Sequence, residues 1–474
     1  MLFDLNKDVP SSATDTVFDV CIVGAGAAGI TLAVDLSERG HRVALCEAGG
    51  EQYSYQSQEC YQGDVNGDPY FRLEICRLRF LGGTTNHWGG WCRTFEEIDF
   101  NRGYLGDHFR WPISLSDIAP YQKKACEILE IEDDFEFDGS DHTADVKPIK
   151  FQFSPPVRFA EKYKTFLTKS DRVSLFLNAT MTDLSGQQGQ VSAISFKSYS
   201  DKTAKIVAKY YIFAMGGIEN SRYMRWFASR YGSAFFDSTA PIGKYWMEHP
   251  HYLLGQALVE MSAQDGLYYS LTSEAQVQRK ILSAGLMLYQ LEEERTKEMV
   301  RDLLCFAPSI GARMASLFDK KLICGVGFKS AWEQAPEASN EVDLLDEVDR
   351  FGVPRVNLKW RKNPIDRETI KQSADAFGQW LIKKELGRVQ LFDWIENELD
   401  YPENDEIGGS HHMGGTRMFR SSKYGVVDEN CRVHGSKNTY VAGSSIFTTG
   451  GHNNPTTPIV QFSLRLADHL DSLL

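Results

Sequence analysis

The amino-acid sequence predicts an α/β chain whose first part is a Rossmann-like dinucleotide-binding fold. Three observations carry this: a strand–glycine loop–helix–strand–acid unit in the first fifty residues, a glycine-dense loop around residue 85, and a strand–loop–helix block at the far end. The unit starts with the apolar strand Phe18–Val23 and turns at Gly24-Ala25-Gly26-Ala27-Ala28-Gly29. A helical stretch runs from Ile30 to about Arg39, Gly40 stops it, and a second strand, Arg42–Cys46, ends in Glu47. Gly24 permits the tight turn, Gly26 lets backbone approach a pyrophosphate, and Gly29 lets helix and strand pack closely. The free N–H groups of the helix start face the phosphates. Glu47 stands at the second strand end, where an acid accepts hydrogen bonds from ribose hydroxyls. This unit alone does not separate FAD from NAD.

Bulk composition narrows the function. The 474 residues suffice for two or three domains, and 42% hydrophobic with 24% charged residues is an ordinary globular mixture. The net charge of −13 argues against nucleic acid or an anionic membrane surface as partner, and weakly favours neutral or cationic substrates. No apolar run approaches a membrane span. The stretch Met1–Asp8 lacks the basic and apolar segments of a signal peptide, and the nine scattered cysteines form no CxxC pair. The expectation is a reduced, cytoplasmic protein without a metal site.

The second landmark, Arg79-Phe80-Leu81-Gly82-Gly83-Thr84-Thr85-Asn86-His87-Trp88-Gly89-Gly90, holds too many glycines for a regular helix or strand. Such a loop lets backbone amides crowd a flat or anionic ligand. Together with the N-terminal unit it resembles the glucose-methanol-choline (GMC) oxidoreductases, and the Gly-Gly-x-x-x-His-Trp form is most similar to the pyranose oxidase branch and related sugar dehydrogenases. The resemblance implies FAD. It places Ala48, Arg79, Gly82, Gly83, Asn86, Trp88, Gly89, Thr180 and Ala214 beside the cofactor, with the first glycine loop and Glu47. In the family the motif histidine can bond covalently to the flavin; His87 either carries that bond or packs beside the flavin without it. The family also implies a second domain on a large antiparallel sheet. Residues 1–110, 155–245 and 401–474 would form the FAD-binding domain, and residues 111–154 and 246–400 the substrate domain.

The third block is the most specific. Ser410-His411-His412-Met413-Gly414-Gly415-Thr416-Arg417-Met418 is followed by a strand into Gly443-Ser444, and by Asn453-Asn454-Pro455-Thr456 opening an amphipathic helix. Gly443, Ser444, Asn454, Pro455 and Thr456 are expected at the flavin. Oxidising an alcohol requires a base for the O–H proton and a polar group to hold the oxygen; histidine suits the first role. In the family a histidine before Gly-Gly-Thr and an Asn or His before Pro do this work. The His-x-Gly-Gly-Thr spacing selects His412, with Asn454 as partner, and the Thr-Arg-Met that follows favours it. An alternative spacing in the family selects His411. His411 and His452 are otherwise expected in the substrate pocket.

Less of the middle is assigned. Asp117 caps a helix reaching about Leu129, residues 172–178 and 191–199 are strands joined by a turn at 185–189, and Glu219 and Asn220 cap a helix start. A helical pattern covers Gln290–Met314, and His249 and His251 are structural or pocket-wall residues. The implied reaction is FAD-dependent oxidation of CH–OH on a sugar, amino sugar or glycosylated metabolite, with oxygen or another electron acceptor. A lyase on the same scaffold, a non-sugar alcohol oxidase or dehydrogenase, and a redox-inactive binding protein are the competing readings.

Overall fold

A computed structural model of the chain describes residues 1–7, 9, 14–137, 145–260, 268–290, 322–397, 399–403, 406 and 409–474. The helical pattern expected over 290–314 lies almost wholly outside these residues. The first strand of the glycine-loop unit is Val17–Val23, and its Val20, Cys21 and Ile22 are fully buried. An apolar run of this kind belongs to a parallel strand covered on both faces. In the eight-stranded sheet it lies between Val43–Cys46 and Thr203–Phe213, and pairs parallel with both. Val173–Leu177 and Leu2–Asp4 extend one side; Thr439–Val441 joins the C-terminal half of Thr203–Phe213 in parallel. The helix Ala27–Glu38 packs against this sheet and against the closing helix Thr456–Asp471.

A hairpin of Thr180–Gln187 and Gln190–Lys197 completes the sheet. This corrects the expected turn at 185–189. The connection is the two-residue Gln188-Gly189, both with positive φ (54° and 75°), the conformation that matches strand twist in tight hairpins. The whole strand Thr180–Gln187 was missed between the two that were expected.

The second layer is a six-stranded sheet in the order Gly387–Leu391, His251–Glu260, Leu322–Trp332, Ala284–Gln290, Tyr268–Leu271, Val146–Pro148, with every pairing antiparallel. The expected large antiparallel sheet is therefore present. The helix Pro364–Lys383 covers it, started by a reciprocal capping box between Asn363 and Asp366. Phe328, Phe377 and Tyr269 make an aromatic core between helix and sheet. A smaller sheet, Glu341–Val348, Pro354–Trp360 and Gly63–Gly67, joins the layers around buried Trp246 and Trp360. Near residue 117 the cap is Ser114, which forms a capping box with Asp117, and the α-helix proper is Gln122–Leu129. Among the described residues no helix is long and apolar enough to cross a membrane, and no group of three His, Cys, Asp or Glu is placed to hold a metal ion.

Candidate active site

The three landmarks converge on one cavity of about 480 Å³, a size common for cofactor sites. At one end is the Gly24 loop. A Cβ on Gly24 would stand 2.5 Å from the Ala214 carbonyl oxygen, and one on Gly29 would stand 1.9 Å from that of Gly24. Neither position tolerates a side chain. A Cβ on Gly26 would meet nothing within 4 Å, so the loop is open there, at the helix N-terminus, where no side chain caps the free N–H groups. This main-chain cradle fits the pyrophosphate of a dinucleotide. Glu47 lines the cavity and holds the loop: Oε2 accepts the Ala25 N–H at 3.0 Å and Oε1 that of Gly49 at 2.9 Å. Each oxygen keeps a second lone pair for a ribose hydroxyl.

The second glycine loop is sewn to the first. The Gly82 N–H donates to the Ala25 carbonyl at 2.8 Å, and a Cβ on Gly83 would lie 3.3 Å from the Gly26 Cα. His87 is exposed to the cavity; burial and the neighbouring Arg158 lower its pKa. Trp88 and Gly89 line the same wall, and the Trp88 indole N–H donates to the Val157 carbonyl at 2.9 Å. Ala27, Ala28, Ala48, Arg79, Ala214, Gly443, Ser444, Asn454, Pro455 and Thr456 also reach the cavity. Gly29, Gly82, Asn86 and Thr180 stand behind its wall. The Asn86 amide N–H donates to the Leu81 carbonyl at 2.9 Å, and the Thr180 hydroxyl accepts from Arg79 at 2.9 Å. These are supports of the wall.

The histidine end departs from the expected register. His411 and His412 both line the cavity, but they turn to different neighbours. Asn454 Nδ2 lies 3.3 Å from His411 Nε2, so the Asn partner expected for His412 belongs geometrically to His411. His412 Nε2 instead lies 3.1 Å from the Tyr70 hydroxyl, which donates to Glu248. The cause is local. Ser410 has φ 54°, and one oxygen of the buried Glu248 carboxyl accepts the His411 N–H at 2.6 Å and the His249 N–H at 2.9 Å, which fixes the rotation of the segment. His249 Nδ1 then lies 3.0 Å from His411 Nδ1, so His249 backs the cavity wall. Burial, followed by His249, His251 and His412, pushes the His411 pKa well below the usual value. Burial, Arg77 and His87 hold His412 at about 3, so both rings are neutral at pH 7. Burial also lifts Glu248 to about 8. His452 is buried behind the wall and does not line the cavity.

Arg77 lines the cavity and had no sequence signal. Arg77 pairs with Glu219 at 2.6 Å under the Tyr61 ring, and Glu219 in turn pairs with Arg222 at 3.0 Å. The two arginines hold the Glu219 carboxyl below its usual range against the opposing effect of burial. Glu219 is thus an ion-pair partner rather than a helix cap. Asn220 accepts the Met215 N–H at 2.9 Å and donates to the Ala442 carbonyl at 3.1 Å, stapling the strand end to the Gly443 turn. Glu248 had a visible marker in Glu-His-Pro; Tyr70 had none.

Residues 336–463 match the family model described as GMC oxidoreductase, and residues 19–132 match that of the FAD dependent oxidoreductases. The C-terminal part of the chain is thus similar to the GMC oxidoreductases, and its N-terminal part to FAD dependent oxidoreductases. The chain has the α/β fold of the GMC oxidoreductases, a Rossmann-like sheet with an antiparallel second sheet. It is 25% identical over 310 residues to the fructose dehydrogenase large subunit of Gluconobacter japonicus, a match covering 59% of this chain and half of that one. It is 30% identical over 128 residues to the 6'''-hydroxyparomomycin C oxidase of Streptomyces lividus, covering 24% and 23% of the two chains. The 2-methyl-1,2-propanediol dehydrogenase of Mycolicibacterium austroafricanum is 20% identical over 550 residues, 95% of each chain. Among solved structures, pyridoxine 4-oxidase from Mesorbium loti shares the fold, with a TM-score of 0.58 at 16% identity over 95% of this chain and 99% of that one.

Proposed function

We propose that this protein oxidises a CH–OH carbon of a sugar, amino sugar or glycosylated metabolite to C=O, with His411 taking the hydroxyl proton. The single observation that carries the reading is the His411–Asn454 pair at the cavity wall, with Nε2 and Nδ2 3.3 Å apart. A hydroxyl that displaces this contact is held by the amide and faces a neutral imidazole. Burial keeps that imidazole unprotonated, so it accepts a proton without first losing one. FAD bound along the glycine loops supplies the hydride acceptor. His412, turned toward Tyr70, shapes the wall beside the base.

The substrate class draws support from the names of the relatives, a fructose dehydrogenase and a 6'''-hydroxyparomomycin C oxidase. The net charge of −13 suits an amino sugar. The diol dehydrogenase keeps a non-sugar alcohol as the competing substrate. The electron acceptor is oxygen or another oxidant. His87 has the exposure a covalent flavin tether requires.

The test is an anaerobic titration of the FAD-loaded protein with fructose, an aminoglycoside and 2-methyl-1,2-propanediol, read by flavin absorbance. Bleaching by the first two is expected. Bleaching by the diol alone overturns the sugar reading, and no bleaching by any alcohol overturns the oxidation. After acid precipitation, yellow colour left in the supernatant excludes the tether through His87.

A further inference from the structure

An amide nitrogen only donates. Asn454 Nδ2, 3.3 Å from His411 Nε2, therefore requires a bare Nε2, and neutral His411 carries its proton on Nδ1. The group at Nδ1, 3.0 Å away, is His249 Nδ1, which must then accept. That leaves the His249 proton on Nε2, which is buried against the main chain of Gly450 and Gly451. We propose that His249 is the positioning residue that sets the working tautomer of His411, accepting its Nδ1–H so that the Nε2 lone pair faces the substrate hydroxyl. The proposal rests on the assignment of His411 as base made above.

Glu248 makes the contact rigid. It is fully buried, and one of its oxygens receives both the His411 and the His249 backbone N–H. Its other oxygen receives the Tyr70 hydroxyl, so no carboxylate is aimed at either imidazole of the pair. The titratable groups facing His411 are His249, His251 and His412; Lys329 stands beyond His251. In the proton transfer the substrate O–H bond breaks and an Nε2–H bond forms on His411. The Nδ1–H stays donated to His249, and no electrons move between the two rings. Without an acceptor at this position, nothing holds the proton on Nδ1. In water a neutral imidazole of this kind prefers Nε2–H, the form that cannot take a proton from substrate.

The experiment uses FAD-loaded protein with 15N-labelled histidine, read by long-range 1H–15N NMR at pH 7.5, with the His411 signals identified by their loss in His411→Ala. The expected wild-type pattern is Nδ1–H on His411. His249→Leu is expected to turn it to Nε2–H and to slow anaerobic flavin reduction at saturating substrate by about 100-fold, the scale on which a wrong tautomer acts, with substrate affinity within about three-fold. His249→Asn, which offers an amide oxygen near the lost Nδ1, is expected to recover the rate to within about ten-fold of wild type. An Nε2–H form of His411 in the wild type overturns the proposal outright, whether or not the leucine variant folds. So does a leucine variant whose tautomer and rate are unchanged. A protein with the Nδ1–H form that no alcohol reduces upholds the tautomer and removes the base assignment, which separates the two.

Discussion

At the Gly24 end of the cavity the wall is main chain, whereas at the His411 end it is a set of buried imidazoles, and the two ends respond to substitution in different ways. The main-chain end works by leaving space out: Gly24 and Gly29 bring backbone to backbone, so a side chain there is a collision. The imidazole end works by direction. His411 and His412 are neighbours in sequence, yet one is turned to Asn454 and the other to Tyr70. Space is an all-or-none requirement, while direction is graded, atom by atom.

The largest expected effect tests this contrast at the main-chain end. Gly29→Val puts carbon into the Gly24 carbonyl, 1.9 Å from the ideal Cβ position, and the purified protein is expected to be colourless or unfolded. Gly26→Ala enters open space, so its Tm without cofactor should match wild type while FAD affinity falls; equal FAD affinity would remove the pyrophosphate from this loop. At the imidazole end, His411→Ala is expected to slow flavin reduction about 1,000-fold with FAD retained, and His412→Ala only about ten-fold. A reversal of that ranking would restore the register first favoured on spacing. Next, Arg77→Met leaves Glu219 with one partner fewer in a buried site, which should cost about 3–5 kcal/mol in denaturant unfolding.

The smallest effect is the pH dependence of stability. His249 is held at about 4, and His251, His412 and His452 at about 3, in each case chiefly by burial. Their unfolded pKa is near 6.5. As pH falls, the unfolded chain takes up these protons before the folded one does. The stability they contribute is complete above the unfolded pKa and is lost progressively as pH falls below it toward the folded values. These rings should lower Tm between pH 7 and pH 5, partly offset by Glu248, whose raised folded pKa of about 8 favours the folded state as pH falls. A flat profile down to pH 5 would mean that these rings are not buried in the neutral form.

What was legible in the sequence follows the same division. The glycine loops, Glu47, Gly443 and the Asn454-Pro455-Thr456 helix start could be read because positive φ, close approach and helix initiation leave their mark on residue type. The antiparallel second sheet followed from the family resemblance. The direction of His411 could not be read. It is set by the left-handed turn at Ser410 and by a carboxyl 163 positions away, Glu248, and spacing within the motif carries neither. Glu219 presented itself as a helix-start acid because its ion-pair partner Arg77 is 142 residues distant. The strand Thr180–Gln187 was hidden by Asp183, Ser185 and Gly186, which break the alternation at a sheet edge.

The strand Thr439–Val441 adds itself beside Thr203–Phe213, a strand that also pairs with Val17–Val23. Gly443 and Asn454, just beyond it, face the loop that opens at Gly24. The cofactor cradle is therefore split between segments made far apart in time during synthesis. At about 5–20 residues per second, the ribosome needs roughly 20–80 s after making the first glycine loop before its counterpart exists. During that interval the emerging chain holds a phosphate cradle with no opposite wall, and a sheet with an unfilled parallel slot. A cell making this protein must keep that slot from pairing with another chain, and free FAD lends its full stabilisation only after the last wall has docked.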